Sequence, residues 1–358
     1  MRLAVIQDFL RAGGTEMQSL LLVRSWIEAG EEAGLITFRP GGLLHPRAQA
    51  LNIPVHALQF VDLKLSFCAP FFIRKLKKED VEGVVLMGRN ANRLGALLKK
   101  RIPFLKVVAT CRTGRRIPRG YMQSLFAADW VVTNSQWGAK QMREAGIPSP
   151  RLKVIPNART LDWNHEEAGV LRKRIRSRFG IRDNTVVMIQ IAAFVPGKNH
   201  GDLLEIMAGI DDEKYSWELW LVGTGPHCNS VKQWARQLKI DERIRFLGFL
   251  EEVKPFLAAS DIFVSTSLEE SLPNTMIEAQ IAGLPIIAYD TAGVRETFKP
   301  DESGVLVQSK KVEEFLNKLV PLMADPELRS ALGKNARNFS RSFPDISDHG
   351  KRYRELFD

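Results

Sequence analysis

The sequence predicts an α/β protein made of two doubly wound domains, each a parallel sheet covered by helices on both faces. Three observations carry this expectation. Short apolar runs recur along all 358 residues with amphipathic stretches between them, the pattern of buried parallel strands alternating with surface helices. The alternation pauses at a proline turn near Pro156 and restarts at Val186. The length suits about two domains, and 45% hydrophobic with 26% charged residues is ordinary for globular chains.

In the first half, Leu3-Ala4-Val5-Ile6 reads as a strand, followed by the turn Ala12-Gly13-Gly14 and a helix carrying Met17, Leu20, Val23 and Ile27 on one face. Further strands are expected at Gly34–Phe38, Val55–Leu58, Val84–Met87, Lys106–Thr110, Trp130–Thr133 and Lys153–Asn157. A charged helix from His165 to Arg178 follows. Strands then recur at Val186–Ile191, Leu219–Val222, Ile244–Leu247, Ile262–Ser265 and Pro285–Ala288, each leading into a loop and a helix. The tail from Pro326 reads as helical, with Tyr353 and Phe357 as late apolar anchors. The expected domains are 1–160 and 161–340, with 341–358 a terminal helix returning to the first.

The charge is unevenly divided. The chain carries a net +10, but residues 1–165 hold +13 and the remainder −3. A basic half suits an anionic partner such as lipid headgroups or a phosphorylated acceptor, or simply a solvated face. Within it, Phe71-Phe72-Ile73-Arg74-Lys75-Leu76-Lys77-Lys78 separates Phe72, Ile73 and Leu76 from Arg74, Lys77 and Lys78 on a helix. That layout fits an anionic bilayer surface or, equally, packing on the domain's own sheet. No apolar run approaches a membrane span, and Asp8 interrupts the N-terminus before a secretory leader could form. Cys68, Cys111 and Cys228 are too scattered for a disulfide framework or metal knuckle, which suits a reducing cytosol. Neither zinc-finger spacing nor an aromatic RNA-binding signature accompanies the basic residues, so no nucleic-acid partner is expected.

Open α/β sheets bind ligands at loops beyond the carboxyl ends of their strands. Three such loops stand out. Gly13-Gly14-Thr15-Glu16 offers backbone amides at a helix start, although it is also an ordinary tight turn, and it lacks the dinucleotide-binding G-x-G-x-x-G. Pro196-Gly197-Lys198-Asn199-His200-Gly201 offers a lysine that can meet a diphosphate as a point charge or remain solvated. Glu269-Glu270-Ser271-Leu272-Pro273-Asn274-Thr275-Met276-Ile277-Glu278 is the most informative. It places Glu270 in a loop, Asn274 and Thr275 at a helix start, and Glu278 about two turns along. A carboxylate accepts two hydrogen bonds from vicinal hydroxyls, so one could take a sugar and the other a ribose. Glu278 lies too deep in the helix to act only on the dipole.

Glu270-x7-Glu278 with Leu272-Pro273 and Gly283-Leu284-Pro285 resembles the signature of family 4 retaining glycosyltransferases of the GT-B fold. Gly13-Gly14-Thr15-Glu16, Val154-Ile155-Pro156-Asn157, Lys198-Asn199 and Leu221-Val222-Gly223-Thr224-Gly225-Pro226 extend the resemblance, in the family's order, over essentially the whole chain. It implies two facing Rossmann-like domains with a cleft, a nucleotide-sugar donor on the second and a glycan or lipid-linked acceptor on the first. It further implies that Glu270 contacts donor-sugar hydroxyls, Glu278 the ribose and Lys198 the leaving diphosphate. Gly13, Gly14, Gly223, Gly225, Asn274 and Thr275 would complete donor binding. Retention without a covalent protein intermediate, a UDP-linked donor, and no metal or cofactor are the accompanying expectations; no Asp-x-Asp motif is present at these loops. The setting implied is surface-polysaccharide or lipopolysaccharide synthesis in the cytoplasm, at the inner membrane face.

Two positions depart from the family pattern. Ala193 stands where an arginine is usual, and Cys111-Arg112 where many members carry a histidine. Arg112, Arg115 and Arg116 are the candidate replacement cations, Arg112 foremost as a catalytic residue. A catalytically silent nucleotide-sugar-binding protein is the alternative reading.

Overall fold

The computed structural model describes residues 2–63, 69–114 and 117–358, with the side chains of 69–71 left aside. The chain divides into two compact units, Met1–Ala158 with Phe343–Asp358, and Arg159–Ser342.

Unit 1 contains the strands β1 (Arg2–Gln7), β2 (Glu32–Thr37), β3 (Val55–Ala57), β4 (Gly83–Leu86), β5 (Lys106–Cys111), β6 (Trp130–Thr133) and β7 (Leu152–Val154). Its helices are α1 (Gly14–Glu28), α2 (His45–Ala50), α3 (Ala69–Lys78), α4 (Gly95–Arg101), α5 (Arg119–Ala127) and α6 (Gln136–Glu144). Every pairing is parallel, in the order β3-β2-β1-β4-β5-β6-β7. β7 is shorter than the expected strand because Pro156 has no amide to offer a ladder.

Unit 2 runs α7 (His165–Phe179), β8 (Val186–Ile191), α8 (His200–Ala208), β9 (Trp217–Val222), α9 (Cys228–Gln237), β10 (Ile244–Gly248), α10 (Lys254–Ala259), β11 (Ile262–Ser265), α11 (Asn274–Ala282), β12 (Ile286–Asp290), β13 (Gly304–Gln308), α12 (Val312–Ala324) and α13 (Pro326–Ser340). Its parallel sheet has the order β10-β9-β8-β11-β12-β13, with a buried cluster on each face. β13 was not anticipated. It is a five-residue edge strand with only its first and fourth residues buried, too weak a pattern to stand out.

The expected helical tail is broken at Phe343-Pro344, and α14 (Ile346–Arg354) belongs to unit 1. It packs on α1: Trp26 Nε1 donates to the Gly350 carbonyl at 3.0 Å, and Arg354 pairs with Glu31 at 2.6 Å. This explains why the apolar stripe expected on α1 is incomplete. Leu21, Leu22 and Trp26 are buried as well, because α1 is covered by the sheet on one side and α14 on another, while Ile27 is exposed.

α3 requires a correction. Its Phe72 and Leu76 are fully buried in the unit 1 core, with Ile73 packed against them and Phe72 edge-on to Phe38 at 6.4 Å. Burying such side chains contributes about 1.5–3 kcal/mol each. The apolar face therefore serves the core and is not available to a bilayer. Arg74, Lys77 and Lys78 remain exposed, and Lys75 pairs with Glu79. Among the described residues no helix is long and apolar enough to cross a membrane.

Candidate active site

Both sheets reverse direction of strand addition once, between β1 and β4 in unit 1 and between β8 and β11 in unit 2. Ligands of open α/β sheets gather at such switch points, beyond the carboxyl ends of the strands. In unit 2 the loops after β8 and β11 carry Lys198 and Glu270, which lie 72 residues apart in sequence.

The β8 loop is fixed by backbone bonds on two sides. Phe194 N donates to Thr224 O at 3.0 Å and His227 N to Phe194 O at 3.1 Å, tying it to the loop after β9. Leu268 N donates to Gly197 O at 2.9 Å and Thr266 Oγ1 to Asn199 O at 2.8 Å, tying it to the loop after β11. Gly223 permits the first approach. Its φ of +138° suits only glycine, and a Cβ there would stand 2.1 Å from the Ala192 carbonyl oxygen. Gly225 approaches the Phe194 backbone nearly as closely, a Cβ there standing 2.4 Å from its carbonyl oxygen. Asn199 adopts the left-handed conformation, a role its short polar side chain tolerates, and turns the chain into α8. His200 is buried and stacked on Phe194 at 4.4 Å. Burial, with help from the Lys198 charge, lowers its pKa to about 4, so it stays neutral and packs.

Held this way, Lys198 Nζ donates to Glu270 Oε1, both side chains being largely but not wholly covered. α11 follows without a side-chain cap at Pro273, so its positive dipole end faces the loop that carries Glu270. Asn274 and Thr275 open that helix, Asn274 buried and Thr275 partly so. Gly293, which sequence reasoning passed over, braces the loop from the far side. A Cβ there would lie 1.3 Å from the Ser271 carbonyl oxygen, so only glycine allows the contact. A glycine just after a strand was the available signal.

Glu278 sits in the second turn of α11 and accepts from Thr160 Oγ1 at 2.7 Å. Desolvation raises its pKa to about 7, and the Thr160 bond opposes that rise. Ala193 is exposed on the β8 loop.

In unit 1, Asp8 follows β1 and accepts from the amides of Asn90 at 2.9 Å and Ala91 at 2.8 Å. Gly13 leads into α1, and Glu16 in the first turn is buried and paired with Arg11 at 3.0 Å. Burial pushes the Glu16 carboxyl up. Arg112 donates to Asn157 Oδ1 and to the Tyr353 hydroxyl at 3.4 Å, so this candidate cation cross-links the β5 loop, the end of the β7 segment and α14. Arg115 and Arg116 lie outside the described residues. Burial raises the Cys111 thiol to about 11, which leaves it unreactive at neutral pH. Among the described residues no three or more His, Cys, Asp or Glu side chains cluster as a metal site.

Two concavities in unit 2, of about 300 and 520 Å³, lie elsewhere. Asp261 and Pro285 line the first, Thr185 and Ser216 the second; all precede strands, at the sheet end opposite Lys198 and Glu270.

Comparison with known proteins identifies the family and the fold. Residues 172–339 match the family model for glycosyl transferases group 1, and residues 12–163 that for glycosyltransferase family 4. An uncharacterised glycosyltransferase of Haemophilus influenzae is 29% identical over 94% of both chains. The lipopolysaccharide core biosynthesis glycosyltransferase LpsE of Rhizobium meliloti is 28% identical over 58% of this chain and 57% of its own length. The alignments thus span about half the length of several curated relatives. Among solved structures, Anabaena HepE in complex with UDP-glucose superposes with a TM-score of 0.84 at 18% identity, covering 99% of this chain and 98% of that one. WaaG, a glycosyltransferase involved in lipopolysaccharide biosynthesis, gives 0.80 at 14% identity, covering 100% of this chain and 99% of that one. The likeness to such structures establishes the GT-B fold. With the two family models together reaching across both units, the chain belongs to the group 1, family 4 glycosyltransferases.

Proposed function

We propose that the protein moves a sugar, with retention, from a UDP-linked donor bound by unit 2 to a glycan or lipid-linked acceptor bound by unit 1, in surface-polysaccharide or lipopolysaccharide synthesis. The observation that carries this reading is the Lys198–Glu270 pair at the switch point of unit 2. The two groups match the two charged demands of the reaction. An ammonium meets the diphosphate, whose negative charge grows as the glycosidic bond breaks, and a carboxylate accepts hydrogen bonds from donor-sugar hydroxyls. Bonded to one another, both are held in place. On donor binding the ammonium turns to the more highly charged diphosphate and frees the carboxylate for the sugar hydroxyls, and the Coulomb gain at the diphosphate is realised most fully at the transition state. The start of α11 adds a positive potential on the same side. Attack on the same face as the departing diphosphate gives retention with no covalent protein intermediate and no metal in the site.

The relatives support the substrate classes. One is named as a lipopolysaccharide core glycosyltransferase. Another, from Escherichia coli, is named as a UDP-Gal galactosyltransferase acting on a diphosphoundecaprenol-linked sugar. A lipid-linked acceptor would bring unit 1 to a cytoplasmic, anionic membrane face. Exposed Arg74, Lys77 and Lys78 on α3 favour that encounter by electrostatics. Exposed Phe60, Val61 and Leu63 offer a small apolar contact of their own.

Ala193 favours a second reading, a silent nucleotide-sugar binder, because no side-chain cation is available at that position. A thermal-shift screen of nucleoside diphosphates and their sugars, run beside a turnover assay, tests both. Selective stabilisation by UDP and UDP-sugars with turnover supports the transferase. Stabilisation without turnover on any acceptor supports the binder, and no stabilisation overturns both.

A further inference from the structure

Thr160 lies in the segment that enters unit 2, and nothing in the pattern of strands, helices or motifs marks it. Its neighbours fix its place. Leu161 and Trp163 pack on the unit 2 core, and the Asn164 side chain caps α7 by accepting from Glu167 N at 3.1 Å. The segment is therefore anchored on the side leading into α7, and the threonine hydroxyl meets Glu278 Oε1 across 118 residues of sequence. One carboxylate oxygen is engaged by the protein, while Oε2 and the remaining lone pair of Oε1 stay available to a bidentate donor.

Several of the charged groups on the surrounding elements are committed elsewhere. Arg337 of α13 donates to the Ile281 and Ala282 carbonyls and contacts His165. Asp290 of β12 pairs with Arg295, and Lys254 of α10 pairs with Glu167 of α7. Glu270 holds Lys198, while Glu269, Glu296, Arg159 and Asp162 complete the ionisable set on the adjoining loops. Among the described residues the Glu278 carboxyl takes its hydrogen bond from Thr160, and desolvation is the main opposing influence there.

We propose that Thr160 is a positioning residue for donor binding: its hydroxyl holds the Glu278 carboxylate in the orientation that accepts the ribose diol. The inference rests on the reading that Glu278 takes the ribose. Without the hydroxyl, the carboxylate loses both its orientation and the one bond that favours its charged form. Two consequences follow. Selectivity for the vicinal diol falls, and the pH below which that selectivity is lost rises, since a protonated carboxyl accepts hydrogen bonds poorly.

The experiment measures the affinity of UDP and of 2′,3′-dideoxy-UDP by calorimetry from pH 5.5 to 8.5, for the full chain and for Glu278→Gln, Thr160→Val and Thr160→Ser. In the unsubstituted protein the preference for UDP should fade as pH drops through about 7. Thr160→Val should move that midpoint up by about one pH unit and weaken UDP roughly three- to tenfold near pH 7.5, with dideoxy-UDP little affected. Thr160→Ser should restore the original profile. Three results would overturn the reading at separate levels. Absence of UDP binding removes the UDP-donor assignment, and the inference with it. UDP binding with a diol preference unchanged in Glu278→Gln removes the ribose role. A preference lost in Glu278→Gln, but a Thr160→Val profile that tracks the unsubstituted protein, removes the role of Thr160 alone.

Discussion

The two units share a strand arrangement around the switch point but use the loops beyond it differently. In unit 1 the polar groups there are committed to the protein's own framework. Asp8 is spent on the amides of Asn90 and Ala91, Gln18 exchanges two hydrogen bonds with the Ala158 backbone, and Arg112 links Asn157 to Tyr353. In unit 2 the corresponding groups meet in pairs of side chains, Lys198 with Glu270 and Thr160 with Glu278. The Lys198–Glu270 pair, at a partly covered site, can change partners by rotating, while Thr160 engages one Glu278 oxygen and leaves the other to a ligand. A side chain bonded to backbone amides in the interior, or tied to two separate segments as Arg112 is, changes partners only if those segments move. The same topology thus supplies a braced scaffold in one half and an exchangeable set of charges in the other.

The largest effect that would test this contrast is on turnover. Lys198→Ala should lower kcat by roughly 10²–10³-fold, because the charge it meets is greatest at the transition state. Glu270→Gln should remove most transfer while circular dichroism stays unchanged. Near-normal steady-state kinetics in both variants would mean that the diphosphate and the sugar are met elsewhere.

Arg112→Ala should act through stability instead. It removes one bond from Asn157 and one from Tyr353 in a buried setting, a loss of about 1–3 kcal/mol. Donor affinity should be little changed. A variant that melts normally yet loses turnover would return Arg112 to the role of a catalytic cation and dissolve the contrast.

Glu278→Gln should have the opposite sign. The folded carboxyl titrates near 7, above the usual carboxylate range, because burial disfavours its charge. Its contribution to stability is therefore complete below about pH 4.5 and lost as pH rises through about 7. The neutral variant escapes that loss. Its melting temperature should match the unsubstituted protein near pH 5 and exceed it by roughly 2–6 °C at pH 8. An equal difference at both pH values would show that the carboxyl is not desolvated.

The smallest effect concerns the surface of unit 1. Reversing the charges of Arg74, Lys77 and Lys78 should reduce sedimentation with anionic vesicles at low salt without changing the fold, and binding by the unsubstituted chain should weaken as salt rises. Equal binding to neutral and anionic vesicles, or none to either, would favour a soluble acceptor.

Much of this was legible from residues alone because it is local. Apolar runs of four to six residues are the signal of buried strands, and β1, β5, β8 and β12 emerge close to where they were expected. The glycines and acidic residues that follow strands point to the ligand-facing end, since only loops there open helices toward solvent. Two elements were misjudged for the same reason. β13 packs at an edge where half its side chains stay wet, and the outer face of α1 is covered by a helix more than 300 residues away. Neither condition leaves a trace in a short window.

Amino-acid order by itself determined the element types, the pause between two α/β units and the motif loops, because each depends on neighbours within a few turns or strands. Tertiary structure alone decided which strands flank each switch point, and so that Lys198 and Glu270 meet. It also decided that the apolar face of α3 goes to the core, since an amphipathic helix has the same periodicity whether sheet or lipid receives it. Likewise it decided that Thr160 finds Glu278: a hydrogen bond between residues so far apart in the chain is set by where the backbone returns, which the local pattern does not encode.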